Sequence, residues 1–357
     1  MFLPSFADGD ADGLGDLAGL HSRLGYLELL GVDAVQLTGV TPDDTGMLDK
    51  LLADAGEHNI RIMLDVADYV GRDADLGRTM RELLELGADA LHVDLGPDPH
   101  GYLLTRDVLD RHPSRVAMGP SDELQLRSND RLVAAEFDAD LMRQAIERSM
   151  TGSPDTIPAW RLAHPDVLRQ VTRYGDGDTG LDRAKAMALV LLALPGAVFL
   201  YNGEELGLPS VELPDWAWDP PIPPPDEREL DGSRIPLPWE GDSPPFGFTG
   251  ARSGWLPMPN EWGPLSVEAQ LEDADSMLSL YRHAIEVRHT HDALRGNEIE
   301  WYGAPPGCFA FRRKGGGLVC ALNTSGALVP LPDGEVLAAS APLRDGQLPP
   351  DAAVWLV

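Results

Sequence analysis

Ala193-Leu-Pro-Gly-Ala-Val-Phe-Leu-Tyr-Asn-Gly-Glu-Glu-Leu-Gly-Leu-Pro209 decides the reading of this 357-residue chain. Val198, Phe199, Leu200 and Tyr201 form a short branched and aromatic run between Pro195-Gly196 and Gly203. A strand buried on both faces of a parallel sheet reads this way. Glu204 and Glu205 follow at its C-terminal edge. Alone, the string specifies one βα unit of any α/β protein.

Upstream, similar units recur about every 30 residues. Strands are predicted at 1–6, 34–37, 60–66, 90–95, 116–119, 132–137, 157–162 and 198–201, with helices at 17–30, 47–58, 76–86, 141–150 and 181–194 between them. Eight parallel strands alternating with helices predict a closed (β/α)₈ barrel. Downstream, the proline- and tryptophan-rich stretch 209–264 lacks periodicity and reads as a long functional loop or crossover. A helix at 267–289 follows. Short strands at 308–312, 318–323 and 353–357, separated by Gly/Pro turns, predict an all-β C-terminal domain. The expected division is a barrel over 1–292 and a β-sandwich over 293–357.

Fifty-eight acids face 28 bases, a formal charge of −30, and the only lysines are Lys50, Lys185 and Lys314. So negative a chain is a poor partner for nucleic acid or an anionic membrane, which demand a positive footprint. No signal-peptide core opens the chain and no apolar run approaches about 18 residues, so a cytoplasmic protein is expected. Cys308 and Cys320 read as free thiols of a reducing compartment, with a disulfide as the alternative.

Asp8-Gly9-Asp10-Ala11-Asp12-Gly13-Leu14-Gly15-Asp16 sets acids at alternate positions among glycines. Such spacing gathers oxygen ligands around a hard cation, here Ca²⁺. Gly19 stands where an EF-hand needs its bidentate Glu, which excludes that motif. Asp8, Asp10, Asp12 and Asp16 offer carboxylates and Leu14 a backbone carbonyl; a solvated acidic turn is the alternative.

The 193–209 string closely resembles the last barrel strand of the glycoside hydrolase family 13 α-glucosidases, the α-amylase superfamily. Arg234-Ile-Pro-Leu-Pro-Trp239 and Trp255-Leu-Pro257 are similar to the segment that follows that strand, and the acidic loop to the family's N-terminal calcium loop. The resemblance implies a retaining glycosidase site at the C-terminal ends of the strands: an Asp nucleophile, a Glu acid/base and a second Asp that stabilises the transition state.

Matched by its flanking sequence, the nucleophile's place is kept by Asp94. Alternation puts His92 on the same face, where the family has an arginine. Pro120 stands at the acid/base position, and proline donates no proton. Asp122 and Glu123 lie just beyond it as candidate substitutes, with a solvated loop as the alternative reading. Asp166 keeps the stabiliser's place, but Pro165 replaces the preceding histidine; His164 precedes it. Asp65 remains on its strand, while Tyr69 and Val70 replace the family's Asn-His pair. The loops 39–46 and 68–75 are too short for the family's substrate-lining loop and inserted domain. The expectation is a pseudoenzyme that binds an α-glucan, a small sugar or a protein partner. The alternative is a divergent α-glucosidase or transglycosidase whose nucleophile is Asp94 and whose acid is Asp122 or Glu123.

Overall fold

Seven strands form one parallel sheet in chain order: β1 (Ala34–Leu37), β2 (Arg61–Asp65), β3 (Ala90–His92), β4 (Val116–Gly119), β5 (Leu126–Ser128), β6 (Ile157–Arg161) and β7 (Ala197–Phe199). The computed structural model describes residues 1–40, 45–69, 75–153, 155–214 and 232–357. Helices α1 (Leu17–Ser22), α2 (Leu24–Leu30), α3 (Thr45–Glu57), α4 (Leu76–Leu86), α5 (Pro99–Leu109), α6 (Ala139–Ser149), α7 (Gln170–Arg173) and α8 (Gly177–Ala193) connect them. The chain thus has the expected TIM-barrel architecture. Its abundant aspartates serve these connections: Asp16, Asp75, Asp98 and Asp138 accept backbone N–H groups at the starts of α1, α4, α5 and α6. Such caps satisfy donors that the first helical turn leaves orphaned. Gly31 ends α2 at φ 86°, a left-handed conformation that carries the chain into β1.

Four local expectations are corrected. Residues 1–6 are not a strand: Leu3–Ser5 is a 3₁₀ turn with Pro4 inside its start, and only Phe2 bridges to Thr38. Proline lacks the N–H of a ladder but suits a first helical turn. The helix over 17–30 breaks at Arg23, whose φ −110° and ψ 12° are non-helical. The apolar run 132–137 is a turn, with the Ala134 amide donating to the Asp130 carbonyl. Its place in the sheet belongs to the polar strand β5 just before it. Finally, Ala197–Leu200 is half-buried rather than fully buried. These residues line a cavity of about 1760 Å³ that runs along the barrel interior and opens at both strand ends.

Beyond β7, helices α9 (Val267–Leu271) and α10 (Met277–Thr290) divide the single helix expected at 267–289. The C-terminal part holds an antiparallel sheet of β8 (Glu298–Tyr302), β9 (Cys308–Lys314), β10 (Val319–Asn323), β12 (Val336–Ala339) and β14 (Ala352–Leu356), ordered 12-14-10-9-8. A two-stranded sheet pairs β11 (Val329–Pro330) with β13 (Gln347–Leu348). Helix α8 is the common seat. From Ala186 to Leu194 every residue is buried, and the helix packs against α7 and α10 as well as against β14. A helix apolar all round requires cover all round. The Trp355 indole of β14 is fully buried and donates to the Leu189 carbonyl at 2.9 Å. Cys308 and Cys320 are free thiols. Among the described residues no helix is long and apolar enough to cross a membrane.

Candidate functional site

Parallel alternation brings the C-terminal ends of β2, β3 and β6 to one rim of the cavity, and the candidate residues lie there. Asp65 ends β2 and His92 ends β3, paired by register. His92 Nδ1 lies 2.8 Å from Asp65 Oδ2, while Asp65 Oδ1 accepts the Ala67 amide at 3.0 Å. Both Asp65 oxygens are therefore engaged within the rim. Asp94 follows β3 in a turn, exposed, and accepts the Gly96 amide at 3.1 Å. It lines the cavity with Asp65, His92, His164 and Asp166.

Pro120, the first residue after β4, is exposed. Its acidic neighbours do not reach the cavity. Asp122 pairs with Arg127 at 3.0 Å, and Glu123 with Arg106 at 2.7 Å. Neither belongs to the cavity lining.

Asp166 is clamped. Arg234 Nη2 reaches its carboxylate at 2.6 Å, and Arg234 Nε donates to the Pro165 carbonyl at 3.1 Å. His164 Nδ1 stands 3.7 Å from the same carboxylate. Hydrogen bonding to His164, joined by the Arg234 guanidinium, holds the Asp166 carboxyl down at about 2. On the other side His164 Nε2 is 4.0 Å from Asp130, which is itself held by Arg161 at 2.6 Å. The rim is thus a chain of neighbouring polar side chains, Arg161, Asp130, His164, Asp166, Arg234. Sequence reasoning missed Asp130, Arg161 and Arg234 as site residues. Arg161 lies next to the end of the strand predicted over 157–162, and that was the available signal. Val70 and the loop residues 41–44 and 70–74 lie outside the described residues.

The two acids after β7 turn inward. Glu204 is buried, accepts the Tyr281 hydroxyl of α10 at 2.8 Å and the Tyr201 amide at 3.3 Å. Glu205 accepts the Tyr26 hydroxyl of α2 at 2.9 Å and the Gly203 amide at 2.8 Å. Arg169, wholly buried, lies over the Tyr201 ring at 4.6 Å and donates to the Asn202 carbonyl at 3.0 Å. These groups tie β7 to the outer helices beneath the rim. Burial raises both glutamates, Glu204 to about 7. Folded Glu204 therefore holds its proton more tightly than the unfolded chain does. Its stabilising contribution is complete below about pH 4.5 and is lost as pH rises through about 7, on the order of 3 kcal/mol in all. Glu204→Gln keeps an acceptor for Tyr281 and removes the titration. The variant should lose less stability than the parent between pH 5 and pH 8. Parallel slopes in urea midpoints measured at the two pH values would refute this.

At the N-terminal loop, carboxylate oxygens of Asp8, Asp10 and Asp16 come within 4.8 Å of one another. Asp12 is not among them; its carboxylate accepts the Leu14 amide at 2.7 Å, and the Leu14 side chain is exposed. Asp8 accepts amides of Asp10, Ala11 and Gly13, and its carboxyl is lowered.

Comparison with known proteins fits this geometry. The family profile of the α-amylase catalytic domain matches residues 1–47 and 121–297. The chain belongs to the α-amylase catalytic-domain family. A probable α-glucosidase of Rhizobium meliloti is 35% identical over 179 residues, covering 48% of this α-amylase-family chain and 32% of the relative. An amino acid transporter heavy chain of Rattus norvegicus is 27% identical over 155 residues, covering 42% of this chain and 20% of the relative. The matches thus span about a third or less of the length of these curated relatives. In fold, the chain superposes on an α-glucosyl transfer enzyme, XgtA, with a TM-score of 0.84 at 22% identity, covering 100% of this chain and 97% of that one. The residues between the two matched stretches of the α-amylase profile, 48–120, include Asp65, His92, Asp94 and Pro120.

Proposed function

We propose that this α-amylase-family chain binds a sugar at its strand-end cleft without hydrolysing it, as a carbohydrate-binding, scaffold or regulatory protein. The carrying observation concerns the proton donor. The resemblance assigns the acid/base position to Pro120, and the nearby acids Asp122 and Glu123 are paired with arginines outside the cleft. General acid catalysis has no donor there among the described residues. Two further features support the reading. Asp166 is exposed, and one of its carboxylate oxygens is already engaged by Arg234, with His164 3.7 Å away. Asp94 has His92 beside it instead of a permanent cation, and that histidine is engaged with Asp65. The ligand is an α-glucan or small sugar, or the cleft serves a protein partner, as the rat relative's printed name suggests. The acidic, lysine-poor composition fits a cytoplasmic protein that binds neither nucleic acid nor membrane.

The printed name of the Rhizobium relative and the exposed position of Asp94 favour the second reading, a divergent α-glucosidase or transglycosidase. Glucose release from maltose and isomaltose separates the two. Equal background rates in the parent and Asp94→Asn are expected; Asp94-dependent release would establish the enzyme.

We also propose that the N-terminal loop holds a structural Ca²⁺. Its donor set is hard oxygen, and Asp8, Asp10 and Asp16 converge at ligand spacing. Crowding by Asp12, Asp16 and Asp8 adds to the forces that leave the Asp10 carboxyl raised, a repulsion that a cation would relieve. In metal-stripped protein, Ca²⁺ should raise the melting temperature, and Asp10→Asn should abolish the rise. Asp12→Asn should retain it, because Asp12 stands outside the triplet. Identical melting in Ca²⁺ and chelator would leave only an acidic turn.

A further inference from the structure

The cavity has a second mouth at the N-terminal ends of the strands, away from the rim described above. Asp33 precedes β1, Asp89 precedes β3, Arg115 precedes β4 and Gly196 precedes β7; all four line it. Arg313 of β9, Arg288 of α10 and Asn297 close this mouth from the outer layer.

The acids at this mouth are already paired. Asp89 holds Arg115 at 2.5 Å, Asp33 holds His289 at 3.2 Å, and Glu298 holds Lys314 at 3.0 Å. Besides Arg61, exposed at the start of β2, two inner guanidiniums are left over. Among the described residues neither Arg288 nor Arg313 has a carboxylate within 4 Å. Arg288 donates to the carbonyls of Leu192, Leu194 and Gly196, and Arg313 to those of Ala193 and Gly296. Three of these carbonyls, Leu192 to Leu194, form the C-terminus of α8, whose dipole amounts to about half a negative charge. Two full positive charges exceed that by more than one unit. Arg313 is 5% exposed, yet its Nε has no hydrogen-bond partner. Burial and the neighbouring Arg288 hold the Arg313 guanidinium down at about 10, whereas Asp33 partly offsets burial at Arg288. In a chain of charge −30, a buried guanidinium with an unpartnered N–H and a second, half-buried arginine beside it favours a counter-ion.

We propose that this mouth is an oxyanion site, with Arg313 and Arg288 as its cationic wall and phosphate, free or as the ester of a small molecule, as its ligand. A guanidinium presents several N–H groups in one plane and meets a tetrahedral oxyanion with charge-assisted hydrogen bonds. The Arg313 Nε–H is an unspent donor, and Asn297 beside it supplies a neutral one. The site is independent of the sugar cleft and of whether that cleft is catalytic.

Inorganic phosphate titrated into the full chain at low ionic strength should raise its melting temperature beyond sodium chloride of matched ionic strength. Calorimetry should show one site per chain. Arg313→Gln should weaken binding roughly tenfold or more. If that variant does not fold, Arg313→Lys, which keeps the charge but lacks Nε, should weaken it in the same direction. Arg234→Gln, at the opposite rim, should leave phosphate binding unchanged. Displacement of phosphate by glucose 6-phosphate but not by glucose would assign the ester as the source; retained phosphate would assign the free ion. No stabilisation beyond chloride, an Arg313 variant that binds like the parent, or a loss in Arg234→Gln instead would overturn the proposal.

Discussion

Maltose and isomaltose incubated with this chain should release glucose no faster than with its Asp94→Asn variant. A missing general acid alone costs roughly 10²–10⁴-fold. Two further defects act on the same step. The carboxylate at the stabiliser position, Asp166, is taken up by Arg234 at 2.6 Å, and His92 stands where the family has an always-charged arginine. Such losses do not multiply freely, since groups acting as a unit are non-additive. On the proposed reading, the first alone slows glucosides with poor leaving groups by that factor. Aryl α-glucosides, whose leaving groups need little protonation, are the sensitive control. Weak Asp94-dependent release from them would be compatible with a lost acid; release from maltose would not.

Trp355→Ala should be among the most destabilising single substitutions, at roughly 3–5 kcal/mol. The indole is fully buried on α8 and donates to the Leu189 carbonyl, so truncation leaves a large cavity between sheet and barrel. Because α8 is covered by both parts, the loss should appear as one shifted unfolding transition, read by urea denaturation. A midpoint equal to that of the parent would show that the C-terminal sheet does not lean on α8. Phe199→Ala, which an all-buried final strand would make comparably costly, removes a half-buried ring facing the cavity and should cost less.

The alternation of strands with helices was legible because its signals are local. Apolar runs such as Val116–Gly119 and helix-ending glycines such as Gly31 and Gly87 lie within a few residues of what they determine. Strand β5 was not legible. Leu126-Arg-Ser128 has no apolar pattern, and only pairing to β4 and β6 makes it a strand. The apolar run after it was misread for the converse reason: burial in a turn gives no periodicity to distinguish it from a strand. At the rim, Asp65, His92, Asp94, His164 and Asp166 are what the family resemblance implies from their flanking sequence. The pairs that define their state, Arg161 with Asp130 and Arg234 with Asp166, join residues 31 and 68 apart in the chain. Spacing cannot reveal such partners. Likewise, alternate aspartates in the N-terminal loop cannot say which carboxylate turns inward, and Asp12 turned to the Leu14 amide instead.

If the cleft is non-hydrolytic as proposed, the contact of Arg234 with Asp166 also bears on how hydrolysis could be introduced. A glutamate introduced at position 120 would add a proton donor while Asp166 stays engaged by Arg234. Releasing Asp166 first, by removing Arg234, would free a carboxylate with no donor to work beside. Each step brings nothing without the other, and Arg234 additionally anchors the backbone at the Pro165 carbonyl. On the proposed reading, hydrolysis would therefore need both changes at once.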